Sequence, residues 1–207
     1  MKVAEDILKY NAILKDKSPR EIVEWVLSFA ERPVITSNFG PYSSSLLHLC
    51  SSVMPSMPVL WCDTGFNTED TYKHIEKTRK QLGLNVKKYE PNLSKEFISF
   101  FYGVPEPENE KHQLFTEIVK LEPFRRAMNE HKPDVWFSNI RQSQTAHRAS
   151  LDILSFTKDG VLKVSPFFYY NNKEIYEYIQ EHKLTNEFNY FDPTKVYSNR
   201  ECGIHLS

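Results

Sequence analysis

The run Arg200-Glu201-Cys202-Gly203-Ile204-His205 sets one thiol between an Arg two residues before it and a His three residues after it. The thiolate is the reactive form of cysteine, and neighbouring cations stabilise it. Gly203 lets the backbone turn closely about a ligand. Cys202 is therefore a candidate nucleophile, although an unreactive thiol in a frayed tail fits the same residues. Cys50 and Cys62 sit in an apolar helix and an apolar strand, where each is expected to act as a small buried hydrophobe. A second cluster is Ile140 to Arg148, IRQSQTAHR, directly after a strand. Arg141 and Arg148 suit phosphate or sulfate because a planar guanidinium donates two parallel bonds. A solvated charged loop fits that spacing too. A third is Thr36-Ser37-Asn38-Phe39-Gly40, between a strand and a helix, where backbone N–H groups and the helix N-terminus suit an anion. An ordinary strand–helix turn has the same pattern.

The elements that must position these residues follow from periodicity and punctuation. A helix is expected over Val3 to Leu14, and another over Pro19 to Ala30 behind the capping box Ser18-Pro19-Arg20-Glu21. Pro33 to Ser37 reads as a strand, Ser43 to Val53 as a helix, and Pro58 to Cys62 as a second strand ending at Asp63-Thr64-Gly65. A helix opened by Thr68 and closed by Gly83 leads to a strand over Asn85 to Tyr89. Pro91 to His112 is expected to be a loop or a short-helix excursion. A helix from Glu122 to His131 precedes a strand over Asp134 to Ser138. Ile153 to Phe156 and Val161 to Val164 form a hairpin around Asp159-Gly160, and Asn172 to His182 is a helix. This alternation predicts an α/β fold: a parallel twisted sheet with helices on both faces, a C-terminal hairpin and a mobile catalytic tail. Residues 1–182 are expected to form the α/β domain, and 183–207 the tail. Parallel sheets place ligands at the carboxyl ends of their strands.

Composition narrows the classes. The 207 residues carry 26 Lys and Arg against 27 Asp and Glu, a net charge of -1, so a strongly basic nucleic-acid binder is excluded. No stretch approaches the roughly 18 apolar residues of a membrane span. The opening MKVAEDILKY carries acids early and has no uninterrupted apolar core, so no secretory signal is expected. Three Cys argue against a disulfide framework and for a reducing, cytoplasmic setting. Neither G-x-x-x-x-G-K-[ST] nor G-x-G-x-x-G occurs among the six Gly residues.

In order, the chain carries S-N-F-G, D-T-G-F, K-L-E-P, I-R-Q-S-Q-T-A-H-R and R-E-C-G-I-H. This series resembles the phosphoadenylyl-sulfate (PAPS) reductase family, within the adenine nucleotide alpha-hydrolase-like superfamily, from Val34 to His205. The resemblance implies that residues 1–182 are a nucleotide-binding α/β domain and 183–207 a C-terminal catalytic tail, in which Cys202 is the catalytic cysteine, flanked by Arg200 and His205. It implies that Arg141, Gln144 and Arg148 line the sulfate and phosphate site, and that Lys120 of K-L-E-P joins them. Ser37, Asn38, Phe39 and Gly40 match a modified pyrophosphatase loop, and Asp63, Thr64 and Gly65 a strand end beside the nucleotide. Two departures stand out. Cluster-bearing adenylyl-sulfate reductases have Cys pairs that this chain lacks, so no iron–sulfur cluster and no bound metal are expected. Family members also have a longer hydroxyl-rich segment where this chain has 186–199.

The implied reaction is reduction of 3′-phosphoadenylyl sulfate to sulfite and adenosine 3′,5′-bisphosphate. The Cys202 thiolate attacks sulfur, an S-sulfonate remains, and reduced thioredoxin or glutaredoxin attacks Cys202 to release sulfite. No second Cys is near Cys202 in sequence, so electrons come from that partner protein. A homodimer is compatible with the sequence, and neither nucleic acid nor membrane is an expected partner. Two other readings stand beside this one: a cluster-free adenylyl-sulfate reductase, and a catalytically impaired adenine-nucleotide-binding module of the same fold. An ATP pyrophosphatase would need an S-G-G-x-D-S loop, which Asn38-Phe39-Gly40-Pro41-Tyr42 is not.

Overall fold

The computed structural model describes residues 6–104 and 109–194, so Arg200, Cys202 and His205 lie outside the described residues. Six strands form one sheet: β1 (Pro33–Thr36), β2 (Pro58–Cys62), β3 (Asn85–Tyr89), β4 (Val135–Phe137), β5 (Leu154–Phe156) and β6 (Leu162–Val164). Their order is β3-β2-β1-β4-β6-β5. All neighbouring pairs are parallel except β5 with β6, the expected hairpin. The central strands read PVIT, PVLWC and VWF because a parallel sheet is covered on both faces.

Alternation sorts those strand residues between two layers. Ile35, Val59 and Phe137 face a core that includes Ile22 and Val23 of α2 (Pro19–Leu27), Leu46 of α3 (Ser43–Val53) and Ile179 of α9 (Asn172–Glu181). Val34, Leu60 and Trp136 face the opposite layer, where Phe124 and Ala127 of α7 (Glu122–His131) pack. The capping box forms as expected: Ser18 Oγ accepts from the Glu21 N–H at 3.3 Å, and Glu21 Oε2 accepts from the Ser18 N–H at 2.9 Å. α2 stops at Leu27, short of the expected Ala30. α4 (Glu69–Leu82) starts on the Thr68 cap and ends at Gly83, whose φ of 61° closes the helix. α1 covers Ile7–Leu14 of the first expected helix.

The stretch after β3 holds more helix than its sequence suggested. α5 (Lys95–Phe101) precedes α6 (Lys111–Thr116), which continues through a π-helical turn, Glu117–Leu121, into α7. Pro123 cannot donate to residue 119, and its ring crowds that carbonyl, so a widened turn just before it relieves the clash. The loop after β4 winds into a 3₁₀ turn, Gln142–Gln144, and a short helix α8 (Ala146–Ala149). From Lys183 to Thr194 the chain has no helix or strand and crosses the carboxyl ends of β1 and β2 as a strap. It is tied there by Tyr42 N–H to Asn186 Oδ1 at 2.8 Å, Thr68 Oγ1 to the Asn189 carbonyl at 3.1 Å, and Asn189 Nδ2 to Asp70 at 2.9 Å.

Candidate active site

The chain runs outward from β1 to β2 and β3, then returns so that β4 lies on the other side of β1. Loops leaving two such strands diverge and open a crevice between them. A cleft of about 280 Å³ lies there, with Ser37, Asn38 and Gly40 after β1, Asn139 after β4, and Cys62 at the end of β2 on its walls.

The loop after β1 is folded by its own side chains. Ser37 Oγ accepts from the Phe39 N–H at 3.0 Å and Asn38 Oδ1 from the Gly40 N–H at 3.2 Å. Phe39 and Tyr42 adopt left-handed conformations, φ 54° and 65°, each at a cost of about 1–2 kcal/mol. The Phe39 side chain is fully buried and meets Trp61 edge-on at 5.8 Å. It anchors the loop from below and does not line the cleft. Ser43 and Ser44 open α3 with buried hydroxyls that have no hydrogen-bond partner among the described residues, and Ser43 lines the cleft. Unsatisfied hydroxyls beside the N–H groups of a helix N-terminus suit an anion. The sequence pointed to this helix end but not to these hydroxyls; the triplet Ser43-Ser44-Ser45 was the available signal.

The two arginines divide their roles. Arg148 is 8% exposed and lines the cleft, and Gln144 Oε1 accepts from its Nη1. The same oxygen accepts from the Arg141 N–H at 3.0 Å, so one amide fixes both residues. The Arg141 side chain turns away from the cleft: Nη1 donates to Asn172 Oδ1 at 2.7 Å, and the guanidinium lies 5.2 Å over the Tyr42 ring. Burial lowers its pKa. Lys120, inside the π-helical turn, also lines the cleft. Its Nζ pairs with Asp192 Oδ2 and donates to Thr194 Oγ1 at 3.0 Å, both buried in the strap. Burial pushes the Asp192 carboxyl up, but the Lys120 charge and hydrogen bonds from Lys120 and Thr194 outweigh it and hold the group below its ordinary value.

Asp63, Thr64 and Gly65 do not line the cleft. Asp63 accepts from the Gly65 N–H at 3.0 Å, Asn67 Nδ2 at 2.9 Å and the Tyr72 hydroxyl at 2.9 Å, so this carboxylate holds the loop after β2 in shape. Cys50 is fully buried, as expected, and burial raises its pKa. Cys62 departs from expectation: as the last residue of β2 it is only part-buried and forms part of the cleft wall. Tyr190, Asp192 and Thr194 were not anticipated, because the strap has no periodicity to mark which residues face inward. Tyr190 lies on the loop so closely that a Cβ on Gly40 would sit 3.0 Å from its ring. Among the described residues no group of three or more His, Cys, Asp and Glu is gathered as a metal-ligand set.

A mostly parallel sheet whose switch-point cleft gathers a guanidinium, an ammonium and a helix N-terminus defines an α/β nucleotide-binding domain. Residues 32–189 match the family model for the phosphoadenosine phosphosulfate reductase domain. A phosphoadenosine 5′-phosphosulfate reductase of Synechococcus sp. is 32% identical, covering 86% of this chain and 78% of its own. Those of Vibrio campbellii and Salmonella choleraesuis are each 34% identical and cover 96% of this chain and 86% and 91% of their own. The chain belongs to the phosphoadenosine phosphosulfate reductase family, a family of oxidoreductases. Both of the latter alignments extend over 223 residues, more than the 207 of this chain, so those relatives carry residues that it lacks. Among solved structures, a PAPS reductase from Candida auris in complex with phosphate superposes with a TM-score of 0.77 at 23% identity over 88% of both chains. An NH3-dependent NAD synthetase from Campylobacter jejuni follows at 0.56, 14% identity, and 84% and 74% coverage, which shows a shared fold.

Proposed function

We propose that this protein reduces 3′-phosphoadenylyl sulfate to sulfite and adenosine 3′,5′-bisphosphate. The Cys202 thiolate attacks the sulfate sulfur, the bisphosphate leaves with the bonding pair, and an S-sulfonate stays on Cys202. Reduced thioredoxin or glutaredoxin supplies the two electrons that release sulfite. The supporting observation is the convergence of Arg148, Lys120 and the unsatisfied Ser43 hydroxyl at the α3 N-terminus on one cleft, in a chain of this family. Attack brings an anion towards a polyanion, so preset positive groups stabilise the transition state, each at roughly 10²–10³-fold in rate. Ser37, Asn38 and Gly40 are read as backbone and hydroxyl contacts to the nucleotide. Arg141, with Gln144, is read as positioning Tyr42 and Arg148. Arg200 and His205 would favour the Cys202 thiolate.

The strap fits a delivery role. Thr194 is held at the cleft by Lys120, and Cys202 is eight residues further along. Eight extended residues span up to about 26–29 Å, which lets the thiol reach the site. Three Cys cannot supply four thiolate ligands, so the reading includes no iron–sulfur cluster. The test is sulfite release from PAPS with reduced thioredoxin. Cys202→Ser is expected to abolish sulfite while nucleotide binding, measured by calorimetry, persists; sulfite from that variant would falsify the covalent route.

A further inference from the structure

We propose that a second cavity, between α7 and the β5–β6 hairpin, is a binding site for an α-amino acid with a large apolar side chain. It is independent of the reading of Cys202.

The cavity has a volume of about 620 Å³, inside the range of roughly 300–1,000 Å³ that small-molecule sites occupy. Pro133 and Val161, each just before a strand, place it toward the amino ends of β4 and β6, whereas the cleft lies at carboxyl ends. Among the described residues, Phe124 alone lines both. What fills this cavity therefore braces one wall of the cleft without entering it.

The floor is apolar. Leu121, Phe124 and Met128, three and four residues apart in sequence, present one helical stripe. They pack with Trp136 of β4 and with Val161, and the Phe124 and Trp136 rings are 5.3 Å apart. Such a floor takes a ring or a long aliphatic chain, and the unbranched Met128 adjusts to either.

The rim sorts charge by wall. The α7 wall carries Arg125, Asn129 and Lys132, and the hairpin wall carries Asp159. Arg125 is already paired with Glu117. The Lys132 ammonium, the Asn129 carboxamide and the Asp159 carboxylate have no hydrogen-bond or ion-pair partner among the described residues. A simple anion on the floor satisfies Lys132 and opposes Asp159; a simple cation does the reverse. A zwitterion satisfies both, with its carboxylate toward Lys132 and Asn129 and its ammonium toward Asp159. A carboxylate and an ammonium on one carbon above an apolar side chain make an α-amino acid.

The test is a titration of the isotope-labelled full chain with L-phenylalanine, followed by amide NMR shifts. Saturable shifts are expected at Met128, Lys132 and Asp159, with a Kd of about 1 mM or tighter. Phenylpropionate lacks the ammonium and phenethylamine lacks the carboxylate, and each should bind roughly three- to tenfold more weakly, the worth of one charged hydrogen bond near solvent. Asp159→Asn should cost L-phenylalanine the same factor and leave phenylpropionate no weaker. Lys132→Gln should weaken L-phenylalanine and leave phenethylamine no weaker. Both side chains are exposed, so both variants keep the fold. Shifts confined to the loop after β1, or no saturation by about 10 mM, overturn the site. Truncated analogues that bind as tightly as L-phenylalanine, or an affinity that Asp159→Asn does not move, overturn the amino-acid assignment.

Discussion

Lys120 brings a charge into a site that excludes most water, and Asp192 is what makes this tolerable. Removing one partner of a buried ion pair leaves the other uncompensated, which costs about 3–5 kcal/mol. Asp192→Asn is expected to lower stability by about that amount, read as a shift in the urea midpoint. An unchanged midpoint would show that the pair contributes nothing. The pH dependence has a definite sign. The folded-state pKa of Asp192 is lowered, so its contribution is present above the unfolded carboxyl's ordinary value of 3.8 and is lost as pH falls through the folded value. Wild type and Asp192→Asn should therefore converge in stability only in acid below about that value. Residue types made Arg148 and the loop after β1 legible in the sequence, because their chemistry suits an anion wherever the backbone puts them, whereas Gln144 and Lys120 were read from the family resemblance. Direction was not legible. Phe39 points into the core, Arg141 stacks on Tyr42 and Asp63 serves its own loop, since each side chain's rotamer is chosen by neighbours distant in sequence.

At the scale of elements, the strap and the loop after β1 act on each other through one glycine. Gly40 has no positive φ to justify it; what crowds a Cβ is the Tyr190 ring 3.0–3.2 Å away, which would have to give by a few tenths of an ångström. Gly40→Ala is expected to push the strap off its seat at a cost of about 1–3 kcal/mol, read as roughly a tenfold or greater rise in the KM for nucleotide. Tyr190→Ala in the same chain should remove most of that penalty, because the clash then has no second party. A Gly40→Ala penalty of equal size in both backgrounds would place its origin in the loop and not in the strap. Strands and caps were legible at this scale: apolar runs, the Ser18–Glu21 box and Gly83 each act over a few residues. The π-helical turn that presents Lys120 was not, since it departs from helical periodicity by one residue and arises from Pro123 together with tertiary packing. The strap was legible only as a segment without pattern.

At the scale of the whole molecule, charge is concentrated where it is used. The chain's net charge is only -1, yet the cleft wall carries Lys120 and Arg148, and Arg200 is near Cys202 in sequence. Two cations, a helix N-terminus and an unsatisfied Ser43 hydroxyl exceed what one sulfate needs and suit a ligand with further phosphates. A 3′-phosphate adds about 1.5–2 negative charges. A charge-assisted hydrogen bond contributes about 1.5–3 kcal/mol, so one or two of them give roughly 10- to 10⁴-fold discrimination in kcat/KM. The phosphorylated nucleotide is therefore expected to be preferred over adenylyl sulfate by at least about tenfold. The length of the chain pulls the other way. The Vibrio and Salmonella relatives align over 223 residues against 207 here, and if the residues missing from this chain are among those that grip the 3′-phosphate, the discrimination shrinks. Competition kinetics with both nucleotides in one reaction measures the ratio directly. Equal kcat/KM values, or a preference for adenylyl sulfate, would assign the discriminating contacts to the lost segment and leave the cations of the cleft to the sulfate and 5′-phosphate alone.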